Sequence, residues 1–297
     1  MRLATKLLLG ACLALPAGPA NAAVLRVPSG HATIQEAVLA AVAGDTVLVA
    51  PGTYQELIRM KDGVVLRSSD GPGVTFLDSP GIGETPKLER LFECIDVGRS
   101  TVIEGFELRA GMVRGAGLHC ERGSPTIRGN VIRGWGWGIH LRDSSNAIVE
   151  DNVIDDCRAF GILVFASSPI IRRNTFSGNE PRAISIAGRK SQPIIGGSRK
   201  DANRIFGSTY AINNESRNDI DATWNDWGWA TTSEMERYPY PTDVTVIVDG
   251  NDQSTGALVV SQTVCLDRGL LSSAKRLRAD SRLTGSAFLL SREQGSR

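Results

Sequence analysis

Between residues 117 and 183 the apolar positions recur with a fixed beat. Aligned, GLHCERGSPTIRGNVIRGWGW, GIHLRDSSNAIVEDNVIDDCRAF and GILVFASSPIIRRNTFSGNEPRA put Ile127, Val149 and Ile171 in one column and Ile132, Ile154 and Phe176 in a second. Asn130, Asn152 and Asn174 form a third, 22 residues apart. A period of this size marks stacked structural units. Within a unit, residues 138–143 alternate, with Ile139 and Leu141 on one face and His140 and Arg142 on the other, the period of a half-buried strand. Gly, Ser-Pro or Asn interrupts the pattern too often for an amphipathic helix, and leucine-rich spacing is absent. The pattern predicts a solenoid of parallel strands in which each coil bonds to the next. An Asn turned inward at a tight corner can bond its counterparts one coil above and below, so the recurring amide has a mechanism.

The rest of the chain starts, continues and closes this stack. Residues 33–43 read as a helix: Thr33 and Glu36 make a capping box, Ile34, Ala37, Val38 and Ala41 form an apolar stripe, and Gly44 ends it. Laid across the open end of a solenoid, it would cover the unpaired edge and the core. Residues 45–54 read as the first strand and corner. Residues 64–66, 91–97 and 101–108 are strand-like, with Gly105 and Leu108 aligning 24 residues before Gly129 and Ile132. Residues 80–89 read as a loop leaving the stack. Asn203 follows Asn174 by 29 residues and Asn225 follows Asn203 by 22, which extends the predicted ladder to five and locates an insertion at 188–200. That insertion carries Arg189, Lys190, Arg199 and Lys200 and reads as a solvated basic loop. Trp227 falls in the inward column of Ile132, Ile154 and Phe176, and residues 244–264 look like closing strands.

These features resemble the right-handed parallel β-helix superfold of pectate lyases, pectin-lyase-like proteins and NosD-like periplasmic accessory proteins, over most of residues 24–266. The helix-then-strand opening is similar to that of many secreted β-helix proteins. Residues 224–229, WNDWGW, resemble their Asn-Trp-Trp-Gly element with Asp226 in place of the first Trp. The expected fold class is therefore all-β, a right-handed parallel β-helix solenoid over 23–267 with an N-terminal capping α-helix. The resemblance implies no single activity, because the superfold carries lyases, hydrolases, epimerases, adhesins and binding modules.

Composition narrows the compartment and partners. Arg2 and Lys6, the apolar run 7–15 and Ala20-Asn21-Ala22 read as a signal peptide over 1–22, so a secreted or periplasmic protein is expected. The apolar run is far shorter than the ~18 residues a membrane span needs. Residues 268–297 carry seven Lys and Arg against two acids. This tail is expected to be disordered or a frayed helix. It leaves an acidic body, which argues against nucleic-acid binding. A monomer is expected. Cys94, Cys120, Cys157 and Cys265 match no metal-ligand spacing. Cys120 reads as a small buried hydrophobe, and a Cys94–Cys120 bridge stays open.

Candidate chemistry comes from the outward columns. His119, His140, Leu163 and Ser185 succeed one another along one column, with Glu121, Arg142, Phe165 and Ala187 beside them. His119, His140, Glu121 and Arg142 are the catalytic candidates. A polysaccharide lyase needs a base to remove the proton beside a uronate carboxylate and a cation to stabilise the enolate-like charge. Arg133, Trp135, Trp137 and Phe165 are the substrate-binding candidates, since flat aromatic faces suit sugar rings. Arg128, Glu150 and Arg172 read as a charge ladder that electrostatic pairing explains. The paired-aspartate motifs of polygalacturonases, the Asp-Pro-His-Asp run of alginate epimerases and the acidic calcium cluster of pectate lyases are absent. No cofactor or metal is assigned. The favoured reading is a β-helix that binds, and in the lyase-like case processes, extracellular polysaccharide. The alternatives are a structural or adhesive solenoid and a NosD-like metal-delivery accessory using His119, His140 and Cys120, in which the inward thiol opposes the outward rings.

Overall fold

The computed structural model describes residues 22–79, 89–110, 115–216 and 218–228, and the backbone of Ile247–Val248 and Val259–Thr263. Residues 1–21 of the expected signal, nearly all of the expected 80–89 loop, Cys265 and the basic tail lie outside them. Among the described residues the strands form three parallel sheets of ten, eight and seven strands; seven successive coils between Thr46 and Asn214 contribute one strand to each sheet, and strands at the two ends add the rest. The chain is a right-handed parallel β-helix of about eight turns. One coil shows the plan: Thr126–Arg128 lies in the ten-stranded sheet, Val131–Arg133 in the seven-stranded sheet and Trp137–Arg142 in the eight-stranded sheet. Ile127 pairs with Val149, and Ile132 with Ile154, in register. These columns are fully buried, and Trp227 at 2% exposure continues the second one.

The Asn ladder is continuous. Asn130 Nδ2 donates to Asn152 Oδ1 at 3.2 Å, Asn152 Nδ2 to Asn174 Oδ1 at 3.0 Å, Asn174 Nδ2 to Asn203 Oδ1 at 3.0 Å, and Asn203 Nδ2 to Asn225 Oδ1 at 2.9 Å. Each Oδ1 also accepts the backbone N–H of the preceding rung, and each Nδ2 donates to a backbone carbonyl. The corner thus has its buried polar groups satisfied by side chains where the strands cannot reach. Gly129, Asp151, Arg173 and Trp224, immediately before four of the five rungs, have positive φ of 62°, 56°, 55° and 66°, so a left-handed residue sets those corners, whereas Ala202, which follows the insertion, enters Asn203 at φ −55°. Phe106 takes the place of the amide one coil earlier and donates its N–H to Asn130 Oδ1 at 3.0 Å. On the outer side of the ten-stranded sheet, Arg67 and Arg128 both bond Glu104, and Arg172 and Arg173 both bond Glu150, so the expected charge ladder stands among structural ion pairs.

The N-terminal end departs from the expected one in two ways. Val24–Val27 forms a strand before the helix and pairs in parallel with Thr46–Val49, so residues 45–50 are not the first strand. The helix, Ile34–Ala40, is also shorter than 33–43. Asp45 explains where it stops: its carboxylate accepts the N–H groups of Val42 and Ala23, each at 2.8 Å, which removes Val42 from the helical ladder. Lys61 then covers the freed carbonyls, donating to Leu39 O and Ala41 O. At the start, Thr33 accepts the Glu36 N–H, and Glu56 from the next stretch accepts the N–H groups of Ile34 and Gln35, leaving those helix-end donors paired. Ile34, Ala37, Val38 and Ala41 are wholly buried, as the stripe requires.

Candidate functional site

The eight-stranded sheet holds most of the candidate residues because its strands are the longest and their register is strict. His119 pairs with His140, His140 with Leu163, Leu163 with Ser185 and Ser185 with Asn213. Glu121, Arg142, Phe165 and Ala187 align in the next outward column. Leu118, Ile139 and Ile162 fill the core side of the same strands. Near the start of the strand the coils approach closely. A Cβ on Gly117, Gly138 or Gly161 would lie 2.8, 2.5 or 2.6 Å from the carbonyl oxygen of Gly138, Gly161 or Ala183, so only glycine fits there.

The two imidazoles meet face to edge, with ring centroids 5.0 Å apart and the two Nδ1 atoms at 3.2 Å. Trp137, on the same strand as His140, also meets its ring edge-on, with centroids 5.0 Å apart. His119 is only 1% exposed although it faces outward, because Glu93 and His140 flank it on the adjacent strands and Glu121 lies 3.6 Å from its Nε2. His140 is half-buried and opens into a shallow depression of about 240 Å³ lined with Arg142, Leu163 and Phe165.

Electrostatics favour neutral rings. Burial, then the neighbouring His119, Arg142 and Arg90, push the His140 pKa down to about 4. Burial and then Arg90 lower that of His119, with Glu121 and Glu93 opposing. Glu121 is held below the usual carboxylate range first by its bond to Arg122, which also forks onto Asp96 at 2.9 and 3.2 Å. Arg142 bonds Asp143 at 2.8 Å.

The structure gathers six of the eight candidates on one face: His119, His140, Glu121, Arg142, Trp137 and Phe165. The other two lie elsewhere. Arg133 belongs to the seven-stranded sheet and pairs with Glu107 at 3.4 Å. Trp135 is wholly buried and donates Nε1–H to Leu108 O at 3.2 Å, so it has no free face for a ligand. Gly134, with φ 76°, turns the chain so that Trp135 enters the core over Gly117 while Trp137 stays outside, which separates the two tryptophans. His119 likewise cannot touch a bound polymer directly.

The sequence reading overlooked a third outward column, Trp137, Phe160, Arg182 and Tyr210, paired in successive coils. The same repeat arithmetic applied to the first residue of each strand would have found it. Cys94 and Cys120 are register partners in the core, as free thiols, on the opposite side of the strands from the histidines. Cys120 and the two rings therefore do not converge. Among the described residues no group of three His, Cys, Asp or Glu side chains is arranged to hold a metal ion.

Residues 92–225 match the family model described as right handed beta helix region. The A-module of the Azotobacter vinelandii mannuronan C-5 epimerase AlgE4 is similar to this chain with a TM-score of 0.43 and 15% identity, over 77% of this chain and 69% of that one. Comparison with curated proteins found no match.

Proposed function

We propose that this right-handed parallel β-helix binds an extracellular polysaccharide along its eight-stranded face, with His140 as general base for proton removal from a bound sugar. One observation carries the reading: a half-buried imidazole, braced by a second imidazole and a tryptophan, opening onto a depression lined by Arg142 and Phe165. A face that repeats every coil, about 4.8 Å, suits a ligand that repeats too. The basic and apolar run at 2–15 and the Ala-Asn-Ala at 20–22 support export.

The tautomers follow from the charges. Glu121 stands beside His119 Nε2, too far for a hydrogen bond but near enough to favour a proton on that nitrogen. His119 Nδ1 is then an acceptor, and the 3.2 Å contact makes His140 Nδ1–H the donor. That leaves the lone pair of His140 on Nε2, free to take a proton. His119 acts as a positioning residue, fixing the tautomer of the base through a contact of the kind that orients catalytic imidazoles. A carboxylate entering the depression would add negative charge beside His140 and raise its pKa toward neutrality, where a base is most effective. Arg142 is placed to offset charge that develops on that carboxylate.

The test is a polysaccharide panel, read by calorimetry for binding and by ultraviolet absorbance for unsaturated products. His140→Ala should abolish turnover or strongly weaken binding with the melting temperature nearly unchanged. Binding without product would leave a carrier or adhesive surface rather than an enzyme. Undiminished binding by a variant of greatly lowered stability would show the histidine column to be structural.

A further inference from the structure

Arg182 stands between two aromatic rings on the eight-stranded face, 5.5 Å from the Phe160 centroid and 5.9 Å from that of Tyr210. Its flanking residues belong to the coils before and after it, so the planar cation sits between the two aromatics in the column that begins at Trp137. Such stacking holds a guanidinium in place without using its N–H groups. Those groups are unspent: among the described residues Arg182 makes no ion pair and no hydrogen bond, and its Nε is buried without a partner. Three other arginines on or beside this face differ, Arg90 being paired with Glu93, Arg122 with Asp96 and Arg142 with Asp143. A half-buried cation whose donors are unsatisfied is unusual, because burial penalises both the charge and the unpaired N–H. An anionic ligand would repay both.

We infer that Arg182, with Phe160 and Tyr210, forms an anion-recognising subsite for an acidic sugar, the guanidinium taking a carboxylate or sulfate oxygen and the rings packing on the sugar. Ser185 and Asn213, side by side in the neighbouring column, are buried and bonded to each other, with Asn213 also bonded to Glu215, so they back the subsite without reaching the ligand. The subsite lies two coils beyond Trp137 and His140, roughly 10 Å along the axis at about 4.8 Å per coil. A chain of sugars running parallel to the axis would engage both places, which makes the preferred polymer an anionic one. This rests on the reading of the eight-stranded face as a polysaccharide surface.

Binding of polygalacturonate, dextran sulfate and neutral dextran to the full chain and to Arg182→Gln and Arg182→Lys tests it. The wild type should bind one or both anionic polymers at least tenfold more tightly than dextran, and the pair decides between carboxylate and sulfate. Arg182→Gln should lose that tenfold preference, and Arg182→Lys should lose part of it, since an ammonium lacks the planar fork. A titration with galacturonate and with galactose, followed at the Arg182 Nε–H resonance, requires no folded variant. A shift with galacturonate alone supports the subsite even if no polymer binds, in which case the broader polysaccharide reading fails by itself. Polymer binding that depends on His140 but shows no preference for charge overturns the subsite and leaves the broader reading standing. No response to either sugar or any polymer overturns both.

Discussion

The Nδ1 atoms of His119 and His140 lie 3.2 Å apart on adjacent coils, inside a setting that lowers the pKa of both rings. This pair makes stability depend on acid. The unfolded chain binds a proton at His140 near pH 6.5, whereas the folded chain resists until about pH 4. The unfolded state therefore holds more protons across that window, and folding stability is lost as pH falls through it. Denaturant titrations between pH 7 and 4 should show a falling midpoint in the wild type and a shallower fall in His140→Ala. Identical pH slopes would mean that the pair does not share the desolvated contact described.

Asn152 sits in the middle of the amide ladder, with partners on both adjacent coils. Asn152→Leu leaves the Asn130 N–H groups and the Ile127 carbonyl without their partner, and each unsatisfied buried group costs about 1–3 kcal/mol. Chemical denaturation should show a loss of at least that size at constant slope. A loss below the lower bound would indicate that water replaces the amide without penalty.

Two glycines separate close packing from mere turn composition. Gly138→Ala drives a methyl group to 2.5 Å from the Gly161 carbonyl oxygen and should cost about 1–3 kcal/mol. Gly73 has nothing within 4 Å of its would-be Cβ and no positive φ, so Gly73→Ala should be neutral or stabilising by up to about 1 kcal/mol. Equal effects in thermal melts would contradict the coil spacing at the eight-stranded sheet.

The core thiols should be silent in the native protein. Burial pushes the Cys157 thiol up to about 12, and the Cys120 contact followed by burial raises that of Cys94. Since the thiolate is the reactive form, an aromatic disulfide reagent should label Cys94, Cys120 and Cys157 only after denaturant is added. Rapid labelling of Cys94, Cys120 or Cys157 in the folded protein at pH 7, located by peptide mass mapping, would place that residue nearer the surface.

What the amino-acid order determined by itself was the solenoid and its register. A side-chain period of two forced His140 and Arg142 outward once Ile139 and Leu141 were core, and a repeat of 22 could stack Asn130, Asn152 and Asn174 only at one corner. What the tertiary structure alone decided was depth and direction. His119 faces outward yet is sealed, because coverage depends on the volumes and rotamers of Glu93, Glu121 and His140 on three strands. Trp135 and Trp137 differ by two residues but meet different environments, because Trp135 lies in the corner between two strands, just after the left-handed Gly134, whereas Trp137 opens the next strand. The strand Val24–Val27 was hidden for a related reason: four residues carry almost no periodic signal, and their assignment came from pairing with Thr46–Val49, 22 positions on. Periodicity is a local property of a repeating chain, whereas burial and pairing are set by neighbours that the sequence brings together only when the coils close.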